Sequence, residues 1–373
     1  MMSYNRFMSK NNSSGRVFLS ALVVLSLLVS CKPKVQSVST TEARPASVLF
    51  TDSAGREVTI PAQITRLVPS GTLAQMFLLA IAPDMFCAIS SAYPEDVVEF
   101  IPEYVLQLPV VGQFYGADNL NLEEIAAIGP ELVIDIGEPK ESIAEDMDAI
   151  SAAIAIPAIH ITATLQSTPQ AFRTLGKILG REEKGEALAA FCEKTLSRSQ
   201  ELMAQVGDNK KPVLYCLGQS GLNVIARGSF HAEVLDYLTL NQAVVANPAS
   251  RGTGNETDLE QLLLWDPEVI IFGPGSVYGT AGSDPTWRQL KAIRNRTYYE
   301  IPFGPHNWMG MPPSINRYLG LIWLEKILYP EYPQVAQFDL YTEIATYYRL
   351  FYDYELSREG FEKLTANSLG TGA

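Results

Sequence analysis

Between Glu186 and Val206 the chain runs for 21 residues without glycine or proline. Apolar or small side chains recur there at Leu188, Phe191, Cys192, Thr195, Leu196, Ser199, Leu202, Met203 and Val206. Steps of three and four place them on one stripe of an α-helix. Glu186, Glu193, Lys194, Arg198, Glu201 and Gln205 fall largely on the other face, and Gly207 is a natural stop. At 1.5 Å per residue this helix spans about 31 Å, the width of a small domain.

The pattern before the helix returns after it. Leu122-Glu123-Glu124-Ile125 leads through Ala126–Gly129 into Pro130-Glu131-Leu132-Val133-Ile134. Leu259-Glu260-Gln261-Leu262 leads through Leu263–Asp266 into Pro267-Glu268-Val269-Ile270-Ile271, at a constant offset of 137 residues. Each copy predicts a short helix, a proline-marked break and a buried β-branched strand. A repeat this far apart implies two similar lobes, with the long helix as the rod between them.

Alternation around Ser53-Ala54-Gly55 predicts a β-hairpin over Ser47–Pro61. In the first lobe, strands end at Arg66–Val68 and run over Phe86–Ile89, Leu132–Ile136 and Ile154–Ile161, with an apolar helix at Leu73–Ile81. In the second, strands run over Pro212–Leu217 and Tyr298–Ile301, and helices begin at Asp284–Trp287 and Ile315. Strands alternating with helices imply parallel sheets, whose ligands bind at the carboxyl ends of the strands. The aromatic tail from Tyr332 to Leu364 predicts further helices packed on the second lobe.

The N-terminus is built differently. Arg6, Lys10 and Arg16 are its only charges before Cys31, and an apolar run, Val17–Val29, precedes Ser30-Cys31. A basic start, a short apolar run and a small residue before the cleavage point make a secretory signal. Ser/Thr-rich residues then read as a flexible tether. The chain carries −13 overall, so removing those three cations leaves −16, a balance that repels nucleic acid. Cys87, Cys192 and Cys216 have no spacing of a disulfide framework or a zinc site.

Nucleophile-elbow, phosphate-loop, dinucleotide and metalloprotease motifs are all missing, so no enzyme is expected. Of the three histidines, His160 lies in an apolar run and reads as buried and structural. His231 and His306 fall in loops without companions at metal-ligand spacing, so no dedicated metal site is expected. Tyr93, Phe114, Tyr115, Phe230 and Trp308 are large aromatics in strand-to-helix loops, either packing lids or ligand walls. Arg227 and Arg251 are candidate partners for an anionic ligand or solvated surface charges.

The order of these features resembles the substrate-binding proteins of ABC importers for iron-siderophores, haem and vitamin B12. Leu28-Val29-Ser30-Cys31 resembles a bacterial lipobox, which would make Cys31 the lipidated first residue. The hairpin Thr51–Pro61, the two Leu-Glu…Pro-Glu units and the single long helix complete the likeness over residues 47–330. It implies an α/β fold of two lobes with parallel sheets, bridged by one long helix, with the ligand cleft between them. Residues 1–31 would be a lipoprotein signal peptide, 32–46 a tether, 47–165 the N-terminal lobe, 166–210 a helical region with the bridging helix, 211–331 the C-terminal lobe and 332–373 a helical extension. The expected cleft lining is Ser70, Thr72, Tyr93, Phe114 and Tyr115 on one wall and Arg227, Phe230, Arg251, His306, Asn307 and Trp308 on the other. Trp308 would be the largest single contact. The resemblance also gives Glu123 and Glu260 the task of docking a permease, one anion per lobe.

The resulting expectation is a monomeric, lipid-anchored protein of the cell envelope, in the periplasm or on the outer face of the cytoplasmic membrane. It would bind an iron chelate of siderophore or haem type and deliver it to an ABC permease dimer and its ATPase, using no cofactor and binding no nucleic acid. Alternatives are a corrinoid or an oxyanion such as molybdate as ligand, a metal-cofactor assembly protein on the same scaffold, or a structural lipoprotein. A single stiff helix between the lobes implies little movement on binding.

Overall fold

The computed structural model describes residues 46–249 and 252–369. Cys31, the leader, almost all of the tether and Arg251 therefore lie outside the described residues. Strands β1 (Ser47–Thr51) and β2 (Glu57–Pro61) form the antiparallel hairpin. Asp52 holds it to the first lobe, accepting from the His160 backbone N–H at 3.1 Å and pairing with Arg56.

The first lobe carries the parallel sheet β3 (Leu67–Pro69), β4 (Leu132–Gly137) and β5 (Ala158–Thr162), in that spatial order. Helices α1 (Thr72–Ile81), α2 (Leu122–Ile128) and α3 (Ile143–Ile154) accompany it. Phe86–Ile89 forms no strand and contributes only single bridges, Leu67 to Phe86 and Ile89 to Val110. His160 is fully buried, as its apolar run implies, with Nδ1 2.7 Å from Asp135.

Helix α4 (Thr168–Leu179) turns at Gly180 into the rod, α5, which runs over Glu182–Val206. The sequence pattern starts this helix after Gly185, because glycine usually ends one. Here packing overrides propensity: a Cβ on Gly185 would lie 2.7 Å from the Phe172 carbonyl, so only glycine lets α4 and α5 approach this closely.

The second lobe begins with β6 (Pro212–Leu217), β7 (Asn223–Val224), α6 (Glu233–Leu238), β8 (Leu240–Asn241) and β9 (Asn255–Glu256). It continues with α7 (Leu259–Trp265), β10 (Val269–Phe272), β11 (Tyr298–Glu300) and α8 (Arg317–Leu328). Its sheet runs β11-β10-β6-β7-β9, parallel except at β7 and β9. The residues from Asp284 make a short turn, Trp287–Gln289, rather than a full helix.

The repeat is physical. Helices α2 and α7 are each capped by a side chain, Asn121 accepting from the Glu124 N–H and Asp258 from the Gln261 N–H. Each ends on a left-handed residue, Gly129 or Asp266, and each is followed by a fully buried strand.

The tail departs from expectation. Helix α9 (Leu340–Tyr352) packs on α8 of the second lobe, but also on α1 of the first and on α5. Beyond it, α10 (Arg358–Leu364) brings the chain back along the second lobe. The aromatic spacing explains the reach: Tyr347, Tyr348, Phe351 and Tyr352 are all buried, so α9 is apolar on more than one face. An aromatic column, Phe77–Phe172–Phe351–Tyr347–Phe191, runs through α1, α4, α9 and α5. Nearby, Arg198 of α5 pairs with the buried Glu325 of α8 at 2.9 Å and with Glu343 of α9 at 3.5 Å.

Candidate functional site

The strand ends of the two lobes meet over a polar floor. Arg317, fully buried, donates to the Ala163 carbonyl at 2.8 Å and pairs with Glu233. Glu233 accepts from the Leu165 N–H at 3.1 Å, and the Tyr318 hydroxyl donates to the Leu165 carbonyl at 2.8 Å. Burial pushes the Arg317 pKa down to about 10, which leaves it charged at neutral pH and opposite its acid. The Phe230 ring lies 5.0 Å from that guanidinium.

Beside this floor, Tyr93 of the first lobe faces His306 of the second, their rings 6.1 Å apart. Both side chains are only partly buried, yet the Tyr93 hydroxyl and His306 Nε2 are closed off from solvent without a hydrogen-bond partner. Tyr93 lies near Gln75 without making a bond of good geometry. His231 Nδ1 is in the same condition. Burial pushes both imidazoles down to about 4, His231 with help from the charges of Arg317 and Lys140, and it pushes the Tyr93 phenol up to about 12. At neutral pH the site therefore offers two neutral imidazoles and one intact phenol. Unpaired buried polar atoms cost roughly 1–3 kcal/mol each, so they are expected where a partner arrives from outside.

The first wall continues along the start of α1. Thr72 Oγ1 lies 3.2 Å from both Ser91 Oγ and Gln113 Oε1. Ser91 and Gln113 line a recess of about 420 Å³ with Gly112 and Asn119. Gly112 has φ +80°, and a Cβ there would lie 2.2 Å from the Asn119 carbonyl, so glycine alone permits the tight loop that presents Gln113, Phe114 and Tyr115. Lys140, after β4, sits 4.2 Å above the Tyr115 ring and makes no ion pair with a described residue.

Several residues expected on the walls are committed elsewhere. Trp308 is fully buried: its backbone carbonyl lies against Gly320 of α8, and its indole N–H donates to the Gly304 carbonyl at 3.4 Å, which also accepts from Tyr348 of the tail. Asn307 is also buried: its side chain donates to the Tyr215 hydroxyl at 3.0 Å and accepts from the Met309 N–H. The Ser70 hydroxyl turns into the first lobe and donates to Asp135. Arg227 donates to the Asn241 carbonyl from an exposed position. The Tyr115 hydroxyl donates to Asp146 at 2.5 Å, and Phe114 packs edge-on against Tyr115, so this pair shapes the wall through its rings. His231, Lys140, Gln113 and Ser91 are absent from the expected lining. A histidine and a lysine in loops at strand ends were the available signal.

Glu123 and Glu260 are exposed, each the second residue of its capped helix, and neither makes an ion pair with a described residue. Among the described residues no group of three or more His, Cys, Asp or Glu side chains is placed to hold a metal ion, and no helix is long and apolar enough to cross a membrane.

The proteins this chain resembles include solute-binding proteins of ABC transporters. A solved ABC transporter solute binding protein from Sulfurospirillum deleyianum superposes with a TM-score of 0.78 at 29% identity, covering 85% of this chain and 99% of that one. The molybdate-binding protein MolA of Haemophilus influenzae is 23% identical over 88% of this chain and 96% of its own length. The Fe(3+)-citrate-binding protein YfmC of Bacillus subtilis is 25% identical over 48% of this chain, and the match spans just over half, 56%, of that relative. The sequence profile of the periplasmic binding proteins matches residues 80–304, and this chain belongs to that family.

Proposed function

We propose that the protein is the extracytoplasmic solute-binding component of an ABC importer and that its solute is a metal chelate, an iron complex in the first place. The observation that carries this reading is the set of enclosed, unpartnered polar atoms at the lobe junction: Tyr93 Oη, His231 Nδ1 and His306 Nε2. Neutral imidazole suits iron and its first-row neighbours. Two imidazoles without carboxylate or thiolate companions can complete a metal's coordination but not build it, so the metal arrives with ligands of its own. Phe230, Tyr115 and Phe114 supply rings against which an organic scaffold packs, and Lys140 supplies a cation for an anionic one. No chemical step is involved; the cleft binds and releases.

The wider roles follow the same reading. Glu123 and Glu260 present one carboxylate per lobe to a two-fold permease, whose ATPase drives uptake. Cys31 carries a lipid that keeps the monomeric receptor at the cell envelope, the residues after it serving as tether.

An oxyanion is the second reading. It is favoured by the near full-length match to the molybdate binder and by the hydroxyl cluster of Thr72 and Ser91 at the start of α1. Native mass spectrometry of protein isolated from its own host, followed by titration with ferric citrate and with molybdate, separates the two. Ferric citrate binding that weakens in His306→Ala is the expected result. Molybdate binding that is unchanged in that variant sinks the chelate reading.

A further inference from the structure

We propose that helix α9 and the turn that follows it are a positioning element for the cleft: Tyr348 of the helix and Tyr354 of the turn hold the Tyr93 segment of one lobe and the His306 loop of the other at a fixed separation. The inference rests on the reading that Tyr93 and His306 face the ligand.

Tyr93 leads through Pro94 into a short 3₁₀-helix, Glu95–Phe100. The buried ring of Phe100 lies 5.3 Å from Tyr348 and 4.9 Å from Tyr354. The Tyr354 hydroxyl donates to Glu99 at 2.9 Å. The Tyr93 segment of the first lobe is thus seated on the tail by two rings and a hydrogen bond.

The second lobe's loop is seated on the same helix. The Tyr348 hydroxyl donates to the Gly304 carbonyl, and the Gly304 N–H donates in turn to the His306 carbonyl at 3.1 Å. His306 therefore stands two hydrogen bonds from Tyr348. Gly304 and Phe100 meet beneath it: a Cβ on Gly304 would lie 3.3 Å from the Phe100 ring, so the two segments are in contact. Tyr352, one turn on from Tyr348, is close enough to Tyr93 for that phenol to add to the burial that disfavours its ionisation.

The helix that carries these contacts is itself immobilised. Lys184 of α5 donates to the Leu350 carbonyl at 2.6 Å, and Glu343 pairs with Lys194 at 2.8 Å. Segments from two lobes that share one fixed support cannot drift independently, which is the condition for a preorganised site. Tyr348 and Tyr354 touch no ligand in this account and act only through the segments they support.

The test uses the full-length protein with Tyr348→Phe and Tyr354→Phe together, which remove two hydroxyls and keep both rings. Removing the tail beyond Tyr332 would expose the aromatic column and risk unfolding, so it is the poorer probe. Hydrogen exchange is followed without ligand, and ferric citrate binding is followed by quenching of intrinsic fluorescence. Exchange is expected to quicken in residues 93–100 and 303–309 together, with strand β4 unchanged. Ferric citrate affinity is expected to fall roughly three- to tenfold, the worth of one or two net hydrogen bonds. Exchange as in the wild type, or quickened only within α9, overturns the proposal. If both segments loosen while ferric citrate binds as before, the positioning holds and the assignment of Tyr93 and His306 to the ligand fails.

Discussion

The two lobes meet along two very different seams. Along the tail seam, the tail bonds to both lobes: Tyr354 donates to Glu99 of the first at 2.9 Å and Tyr348 to the Gly304 carbonyl of the second. Along the cleft seam, Tyr93, His231 and His306 face each other's lobes and bind nothing. On the tail side the Tyr347 and Tyr352 hydroxyls, Arg198 Nη2 and Glu343 Oε2 also lack hydrogen-bond partners, but they lie among the packed helices, whereas the three cleft side chains are partly open to solvent. A seam rich in packed rings and mutual bonds holds the molecule together. A seam whose polar atoms wait is where a solute can contribute its own bonds. Stability and recognition are thus assigned to separate residues, and substitutions should sort accordingly.

Trp308→Ala should give the largest effect and purely on stability, about 3–5 kcal/mol by equilibrium urea unfolding, because it empties a fully buried aromatic position. A large affinity loss with unchanged stability would instead make Trp308 a wall of the cleft and erase the distinction between the seams. Arg198→Ala should cost about 3 kcal/mol, since it strands the buried Glu325 without its cation. On the cleft side the signs reverse. His306→Ala should weaken ferric citrate by about 1–2 kcal/mol and leave the urea midpoint nearly unmoved; titration calorimetry beside unfolding curves makes the comparison.

Acid sharpens the contrast further. The folded state holds His231 and His306 near 4 against an ordinary 6.5, so the unfolded chain binds more protons between those values. Stability therefore falls as pH drops through 6.5 towards 4, and the loss is complete below about 4. The double variant His231→Gln/His306→Gln should flatten this part of a melting-temperature profile. A wild-type profile already flat there would mean that the imidazoles are not enclosed. The smallest expected effect is mechanical: a few per cent or less in radius of gyration by solution scattering on adding ligand, since α5 and α9 both span the lobes.

The tail seam also marks the limit of what the sequence could be made to say. The rod, the hairpin and the 137-residue repeat were legible because each is a local pattern with its own punctuation, such as Gly207 after the rod or the prolines Pro130 and Pro267 within the repeat. Gly185 was not legible as helix, because its reason is a neighbour's backbone. Trp308 and Asn307 read as ligand walls since they sit in a loop, and a loop aromatic looks the same whether a ligand or another helix covers it. What encloses Trp308 is the approach of α8 at Gly320 and of Tyr348 to the Gly304 carbonyl, neither of which is a local pattern. Arg227 fails for a related reason: its charge is visible in sequence, but its direction, towards the Asn241 carbonyl, is not.

The reach of α9 has a consequence in time. A ribosome delivers the first lobe well before the helix that seats it. Tyr354 follows its partner Glu99 by 255 residues, so the first lobe's partner is always made first. Until then Phe100 has neither of its tyrosines, and the Tyr93 segment has no support from the tail. Contacts this distant in sequence form late and raise the barrier to folding. A polypeptide cut short near residue 330 would have both lobes and neither of the tyrosines that seat Phe100 and Gly304.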